Sequence, residues 1–557
     1  MNFTAGKKSP GMLLLTLALW TAMLILWGGA LIAPFSAVSN AFQAVAFGLY
    51  VLMTAFFWFL TAYYVSVLMC YFIVRGKKLP ETERHDRAAI LYTVCNDFQP
   101  SAADSCAAQD YGDFHLYILD DSTDEAERAK VDAWAERHAK TATVIRRGTT
   151  QGFKAGNMNH ALDMISDQYG FFAVADADEH LPPDFLSRAM ACFTDDKIAF
   201  VQAAHRPNRK NLTPFGRDMS DTISPFWLLH ILPRNRFGAV VYMGHGAVIR
   251  MEAWKDVGGF PLLTSEDFAF SVRLVRHGWR GVYNAGVICT EDFPAQYGIF
   301  RQQQKRYVAG SVEAIHACMG GLLKSPKAGL VEKADMLLWS LPLYVPAIAL
   351  VYVLVTSLLL PLSFGSWHAP TIVLFGREVT LFPLYVVEDV FSSMRGLAFR
   401  AFSVFCALSP VFATLTLGAA RILPMRRVLR LLVYSTAAYM SLMLNAWKGV
   451  FRFLRRKGVQ WQPTGNRWVR QPWPKDELIV GVALCVSSLL SFNLSGLAVS
   501  MSLVTGALSM KWGWDARPVR FLAVTSFALL AAHLVLSLLL SMSPLFGAMP
   551  MVFSVHF

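Results

Sequence analysis

The sequence predicts a multi-pass α-helical membrane protein with one α/β domain inserted between its helices, and three observations carry that prediction. Only 16% of the 557 residues are charged, against about 25% in an ordinary soluble domain. The charges are dense from about Glu81 to Lys333 and sparse on either side. The sparse flanks hold apolar runs longer than the ~20 residues that a bilayer-crossing helix needs. This composition excludes an ordinary cytosolic enzyme, a disordered scaffold and a disulfide-rich secreted domain, and the polar block excludes a wholly lipid-embedded transporter.

The first two runs, Met12 to Ala33 and Phe42 to Val74, read as two spans, the first being too long for a cleavable leader. Lys7 and Lys8 before the pair, and Arg75, Lys77 and Lys78 after it, put both ends in the cytoplasm. The block from Arg84 to Tyr297 is therefore expected there. Within it Ala88–Thr93, His115–Leu119, Thr143–Ile145, Phe171–Ala175 and Ile198–Gln202 read as strands, and Asp124–Lys140 and Lys154–Ser166 as helices. That alternation implies a mainly parallel sheet with ligand sites at the carboxyl ends of its strands.

Further apolar runs follow at Met336–Phe364, Ala398–Leu423, Val428–Trp447, Leu478–Met510 and Phe521–Ser543. Val428–Trp447 lies between the basic clusters Arg426/Arg427/Arg430 and Lys448/Arg452/Arg455/Arg456/Lys457. Spanning would strand one cluster outside, so this run is expected in the cytoplasmic interface. Leu478–Met510 is either one span or a hairpin turning near Asn493; six or seven crossings result, and charge favours seven. The expected divisions are 1–80 for two helices, 81–300 for the catalytic block, 301–333 for an amphipathic interface helix, 334–425 for membrane helices, 426–476 for an interface helix and loop, and 477–557 for the last helices. The net charge of +12 falls largely on these flanks, which fits anionic headgroups and not nucleic acid. None of the eight cysteines forms a CxxC pair, so buried reduced thiols are expected and spacing indicates no zinc.

The sharpest chemical feature is the apolar strand Phe171–Ala175 running into Asp176-Ala177-Asp178. Two carboxylates at the end of a buried strand need a cation or donors, and hard oxygen ligands at this spacing suit Mg²⁺ or Mn²⁺ bridging a diphosphate. A second acidic strand end, Asp120-Asp121-Ser122, offers helix capping through Asp121 or Ser122 and a nucleoside contact through Asp120. Gln151-Gly152-Phe153-Lys154-Ala155-Gly156 precedes a helix and resembles an anion cradle, with Lys154 free to reach a phosphate. Ser265-Glu266-Asp267 opens another helix and is read equally well as a cap or as a catalytic acid pair. Arg301 to Tyr307 reads as a basic amphipathic helix.

In this order the motifs Asp120-Asp121, Lys154-Ala155-Gly156-Asn157, Asp176-x-Asp178, Ser265-Glu266-Asp267 and Gln303-x-x-Arg306-Tyr307 resemble those of the family 2 membrane-embedded processive glycosyltransferases, among them cellulose, hyaluronan and β-glucan synthases. The resemblance runs from about Ala88 to Gly310 and implies a GT-A fold, with a polymer channel through the helices. It further implies that Asp120 contacts uracil or ribose, that Lys154 and Arg306 bind the diphosphate, and that Asp176 and Asp178 hold the nucleotide and its Mg²⁺ or Mn²⁺. Asp267, with Glu266 beside it, would be the general base toward the acceptor hydroxyl. Gln303 and Tyr307 would hold the acceptor sugar. Tyr242-Met243-Gly244-His245-Gly246 stands at the family's acceptor loop, which brings His245 toward the terminal sugar, and Trp461-Gln462-Pro463-Thr464 resembles the gating loop, with Trp461 and Thr464 closing over the nucleotide.

Three departures stand out. Tyr307 replaces a tryptophan, Ser265 a threonine, and Cys95 an aromatic near the base. No signature of a cyclic-di-GMP module is found, so no intrinsic domain of that kind is expected. The implied activity is inverting, processive transfer from a UDP-sugar, best UDP-glucose, into a β-glucan secreted across a bacterial inner membrane. The expected partners are the UDP-sugar donor, the nascent polysaccharide and the lipid bilayer, with accessory export subunits left open and no nucleic acid. A transferase acting on a lipid acceptor, and an export subunit with a degenerate transferase domain, are the rival readings.

Overall fold

The computed structural model describes residues 8–542 apart from 211, 369–370, 375–376, 381–383, 388–392, 395, 456–471 and 492. An α/β domain is held between apolar helices, as the charge distribution predicts. Its seven strands are β1 (Ala88–Val94), β2 (Phe114–Asp120), β3 (Ala142–Ile145), β4 (Phe171–Asp176), β5 (Ile198–Pro207), β6 (Ala247–Arg250) and β7 (Arg280–Glu291). They are ordered β3-β2-β1-β4-β6-β5-β7. β1 pairs in parallel with both β2 and β4, while β6 runs antiparallel to its neighbours β4 and β5. The five strands read from sequence are all present; β6 and β7 went unread.

Burial on both faces explains the near-continuous apolar strands. Ala89 and Leu91 of β1 face one core with Met158, Leu162, Phe270 and Leu274, contributed by the helices Phe153–Ile165 and Glu266–Arg276. Ala88, Ile90 and Tyr92 face the other, filled by Ala102, Val131, Trp134 and Phe185. The carboxyl ends of β1, β2 and β4 consequently share one edge, which is where the acidic motifs emerge.

Six described helices or helical stretches are long and apolar enough to cross a membrane: Gly11–Ala37, Ala41–Val74, Leu341–Phe364, Leu397–Ala419, Leu494–Trp512 and Arg517–Leu539. The helices Met425–Ser441 and Met443–Leu454 meet at 41° and would add a seventh if they formed one span. The run expected to start at Met336 begins its long apolar helix at Leu341, after a break at Ser340. Between Leu341–Phe364 and Leu397–Ala419 the chain forms two short antiparallel strand pairs that the sequence reading did not anticipate, Gly365–His368 with Leu384–Val387 and Thr371–Leu374 with Arg377–Thr380.

The run Leu478–Met510 is a hairpin. Lys475–Leu490 and Leu494–Trp512 are separate helices, and Asn493 caps the second by accepting from Gly496 N at 2.8 Å. Gly481 of the first abuts Ser500 and Leu503, and Gly496 of the second abuts Ser488, so the two run antiparallel.

The helices are tied to the domain by polar contacts. Lys8 Nζ donates to the carbonyls of Arg234 and Asn235 (3.2 and 2.9 Å). Buried Arg234 pairs with Asp335 (3.1 Å) and with Tyr63 Oη (2.6 Å). Arg301 pairs with Glu477, both buried, and Lys448 Nζ reaches the same carboxylate at 2.9 Å. Trp514 Nε1 and Arg520 Nη1 both donate to Asp218 (3.1 and 2.8 Å).

Candidate active site

Two cavities open at the carboxyl edge of the sheet. The larger, about 280 Å³, is walled by Gly244, His245, Glu266, Asp267, Gln303 and Tyr307, among others. The smaller, about 120 Å³, lies under β1 and β2 against Thr93, Cys95, Asp97, Asp121 and Asn157. Phe153, Lys154, Asp176, Asp178 and Arg306 line both.

Each wall residue is placed by its element. Asp176 is the last residue of β4, and Asp178 follows in the turn. Lys154 sits in the first turn of the Phe153–Ile165 helix and donates to Asp176 Oδ1 and to Gly244 O (2.9 Å). Burial works to lower the Lys154 pKa, but the carboxylates of Asp176, Glu266 and Glu179 outweigh it and hold the ammonium charged. Burial likewise opposes ionisation of Asp176, and Lys154 and His245 overcome it, so its carboxyl lies below the usual range. At Asp178 the opposing cation is weaker: burial, then Asp176 and Glu291, outweigh His245 and push its carboxyl well above the usual range. A half-neutralised pair of carboxylates at a strand end is a donor set that fits a hard divalent cation.

Glu266 and Asp267 occupy the first turn of the Glu266–Arg276 helix, where the helix dipole favours negative charge. Ser265 precedes them but makes no side-chain cap, so of the capping arrangement only the acids in the first turn are present. Asp267 Oδ1 accepts from Phe268 N at 2.7 Å. Burial and the charge of Asp267 raise Glu266 to about 7, and burial raises Asp267 as well. The helix Tyr297–Ala314 brings Gln303, Arg306 and Tyr307 to the opposite wall. It comes close because residue 310 is glycine; a Cβ there would lie 2.3 Å from Ser265 Oγ.

His245 is clamped between two carboxylates, Nδ1 facing Glu179 Oε2 at 3.2 Å and Nε2 facing Glu291 Oε2 at 3.4 Å. Burial would lower its pKa, yet Glu179 and Asp176 raise it to about 10.

The structure thus brings Lys154, Asp176, Asp178, His245, Glu266, Asp267, Gln303, Arg306 and Tyr307 to one cavity. Asp120 is placed differently from the sequence expectation. It is 1% exposed and lines neither cavity, because Arg146 Nε (2.7 Å) and Ser122 N (2.9 Å) occupy its carboxylate. Its neighbour Asp121 lines the smaller cavity, bound by Arg147 through Nε and Nη2 (2.9 and 2.5 Å). Trp461 and Thr464 lie outside the described residues.

Sequence reading missed Arg146 and Arg147, although two adjacent arginines after β3 were a visible counterpart to Asp120-Asp121. It also left unassigned Asp97, whose carboxyl burial pushes up to about 7 in the smaller cavity. Glu179, His205 and Glu291 carried no local signal.

Residues 171–454 match the family described as glycosyl transferase family group 2. The chain belongs to this family. Its α/β domain, GT-A-like and flanked by apolar helices, is the fold class the sequence predicts. A curated relative of this family group 2 chain, glucomannan 4-beta-mannosyltransferase 7 of Arabidopsis thaliana, is 26% identical over 234 residues. That match covers 40% of this chain and 41% of the relative, so the chain spans less than half of the relative's length. Among solved structures, the mannosyltransferase PcManGT from Pyrobaculum calidifontis in complex with GDP-Man and Mn²⁺ is 17% identical with a TM-score of 0.43, covering 75% of this chain and 99% of that one. TarS 1–349 of S. aureus in complex with UDP-GlcNAc is 13% identical with a TM-score of 0.33, covering 54% of this chain and 98% of that one.

Proposed function

We propose that this chain is an inverting, metal-dependent glycosyltransferase that adds hexose units from a nucleoside-diphosphate sugar to a growing β-linked polysaccharide. The observation that carries this reading is that the two cavities share Lys154, Asp176, Asp178 and Arg306. A nucleoside in the smaller cavity and an acceptor sugar in the larger would meet at a diphosphate lying over those groups.

In this reading Asp121 and Asp97 face the nucleoside, and Asp120 acts indirectly by holding Arg146 and the Ser122 turn. Asp176 and Asp178 hold Mg²⁺ or Mn²⁺, which when bound neutralises charge on the departing diphosphate. Lys154 and Arg306 add two cations to the same oxygens. Asp267 takes the proton of the acceptor hydroxyl. The oxygen attacks the anomeric carbon from the face opposite the diphosphate, whose bond breaks and whose electrons leave with the nucleotide; the configuration inverts. Gln303 and Tyr307 hold the acceptor, the phenol ring supplying a stacking face. His245 sits beside the acceptor end. Trp461 and Thr464 are proposed to close over the bound nucleotide.

The reading places the catalytic domain in the cytoplasm of a bacterium, at its inner membrane, with polymer leaving through the helices. The basic flanks support that orientation. The donor read from the motif resemblance is UDP-glucose. A mannosyl donor is the second reading, favoured by the relative whose name is a 4-beta-mannosyltransferase.

The test is to supply purified protein in lipid with Mg²⁺ or Mn²⁺ and with labelled UDP-glucose, UDP-GlcNAc, UDP-galactose, UDP-glucuronate or GDP-mannose in separate reactions. Nucleotide release with polymer made from one donor supports the reading and names the sugar. A glycolipid product would replace it with the lipid-acceptor reading, and no turnover with any donor would leave the export-subunit reading.

A further inference from the structure

The loop at one end of the larger cavity is held by a side chain that lines neither cavity. Residues 238–246 join the short helix Arg234–Phe237 to β6 and have no helix or strand of their own, so their backbone groups find partners one at a time. Gly246 N donates to Val174 O at 2.8 Å, and Tyr242 N to Ser271 Oγ at 2.9 Å. Gly244 O accepts from Lys154 Nζ (2.9 Å) and from Tyr242 Oη (2.6 Å). Gln202 supplies the rest. It stands in β5, 0% exposed. Its Oε1 accepts from Met243 N at 3.0 Å, and its Nε2 donates to His245 O at 2.9 Å and to Gly246 O at 3.1 Å.

A carboxamide offers a donor and an acceptor side by side without charge, which is what this stretch of backbone asks for. Met243 presents an N–H, and His245 and Gly246 present carbonyls. Parts of the cavity wall hang on that grip. Gly244, at φ +92°, lies against the base: a Cβ there would stand 3.6 Å from Asp267 Oδ2. His245 is the imidazole at the acceptor end. Ser271 Oγ, which accepts from Tyr242 N, donates in turn to Asp267 O at 2.8 Å. The loop is thus set at once against β5 and against the helix that carries Asp267.

We propose that Gln202 is a positioning residue for the acceptor: by gripping the backbone at Met243, His245 and Gly246 it sets where the acceptor sugar rests relative to Asp267, and it takes no part in binding the nucleotide. The inference rests on the transfer reaction proposed above. The approach of the attacking hydroxyl is exacting, since a misplacement of about 1 Å costs about 10²-fold in rate. Loosening the loop leaves Asp176, Asp178 and Arg306 in place, because Gln202 bonds to none of them. The donor then stays bound while the acceptor is misplaced, and water gains on the sugar as nucleophile. In that side reaction the water oxygen bonds to the anomeric carbon, its proton goes to Asp267, and the electron pair of the broken bond leaves with the diphosphate. The sequence shows Gln202 only as the last residue of an apolar strand; the backbone it holds lies 41 to 44 positions further on.

The test uses the full chain in lipid and two variants. Gln202→Met keeps the side-chain volume and removes every hydrogen bond, and Gln202→Glu keeps only the acceptor for Met243 N. Binding of UDP and of GDP with Mn²⁺, followed by calorimetry, should be unchanged in both. Binding of cellohexaose or mannohexaose, each measured without donor, should weaken in both. With the donor that the unaltered protein uses, free sugar released per sugar transferred should rise by at least about 10-fold. Equal losses of nucleotide and oligosaccharide binding, or failure of both variants to fold, would make Gln202 a structural residue and overturn the proposal. Oligosaccharide affinity and partition matching those of the unaltered protein would overturn it as well, with the transfer reading left standing. Unaltered protein that binds neither oligosaccharide would instead overturn the polysaccharide reading, and the role of Gln202 with it.

Discussion

A single carboxylate in the larger cavity is asked to be a base, and its surroundings set when it can act. Burial holds both Asp267 and Glu266 above the ordinary carboxylate range, and Glu266 loses its proton at about 7. With Asp267 working as the carboxylate, the transfer rate should climb with pH above the ordinary carboxylate range and rise further as Glu266 ionises at about 7. In Glu266→Gln the later ionisation is gone, so the climb should finish at a lower pH; an unmoved profile would detach Glu266 from the base. Asp267→Asn should reduce transfer by about 10²–10⁴-fold while nucleotide binding, followed by calorimetry, stays intact. Asp178→Ala should lower nucleotide affinity in the presence of Mn²⁺ far more than without metal, because burial and the neighbouring Asp176 and Glu291 carboxylates leave its carboxyl poorly ionised until a metal ion binds. Residue types and order made most of these groups legible in the sequence. Which of two adjacent acids faces the cavity was not, because Asp120 or Asp121 is selected by the register of β2 against Arg146 and Arg147, a contact across 26 positions.

Elements were legible where they are long or flanked by charge, and lost where they are short or irregular. β1, β2 and β4 are apolar runs ending in acids. β6 is only four residues, and the pairing of β7 with β5 slips register twice, which blurs any period-two pattern. The helix Tyr297–Ala314 was legible as amphipathic, but what anchors it was not. Arg301, on its inner side, meets Glu477 at the start of the Lys475–Leu490 helix, and Asn445 Nδ2 donates to Arg301 O at 2.9 Å. Removing the charge of Glu477 leaves Arg301 buried without its counter-ion and weakens the hold on Lys448. Glu477→Gln should therefore cost about 3–5 kcal/mol of stability, read as a lowered unfolding midpoint in lipid. Asp476, which pairs with Lys448 at 2.7 Å but is half exposed, supplies the contrast: Asp476→Asn should cost less than about 1 kcal/mol. Equal losses from the two variants would mean that the buried pair is not what docks the Tyr297–Ala314 helix.

For the molecule as a whole, the relative sidedness of the helices follows from which helix ends touch the α/β domain. Lys8 ties the start of the first helix to it, and Trp514, in the loop between the last two helices, and Arg520, in the first turn of the last helix, tie that end to Asp218. Glu477 ties the start of the hairpin to the acceptor helix on the same side. The pair Met425–Ser441 and Met443–Leu454 also has both ends there, since Arg427 and Arg430 approach Asp221 and Asp218 while Lys448 meets Glu477. These contacts tie both helices of the bent pair to that face. Lys475–Leu490, a helix of 16 residues, is about 24 Å long at 1.5 Å per residue and lies antiparallel to Leu494–Trp512 as half of a hairpin. The hairpin in Leu478–Met510 was one of two readings the sequence left open, whereas the contacts that tie the helices to the domain join residues hundreds of positions apart. The consequence is a fixed sidedness. A cysteine introduced as Asp515→Cys, exposed in the loop after Trp514, should react with a membrane-impermeant thiol reagent only from the side that holds the catalytic domain. One introduced as Ser495→Cys, at the hairpin turn, should react only from the opposite side once native thiols are blocked. Reaction of both from one side would reduce the hairpin to a single membrane segment and put the last helix in the reverse orientation, which the Arg520 contact with Asp218 does not permit.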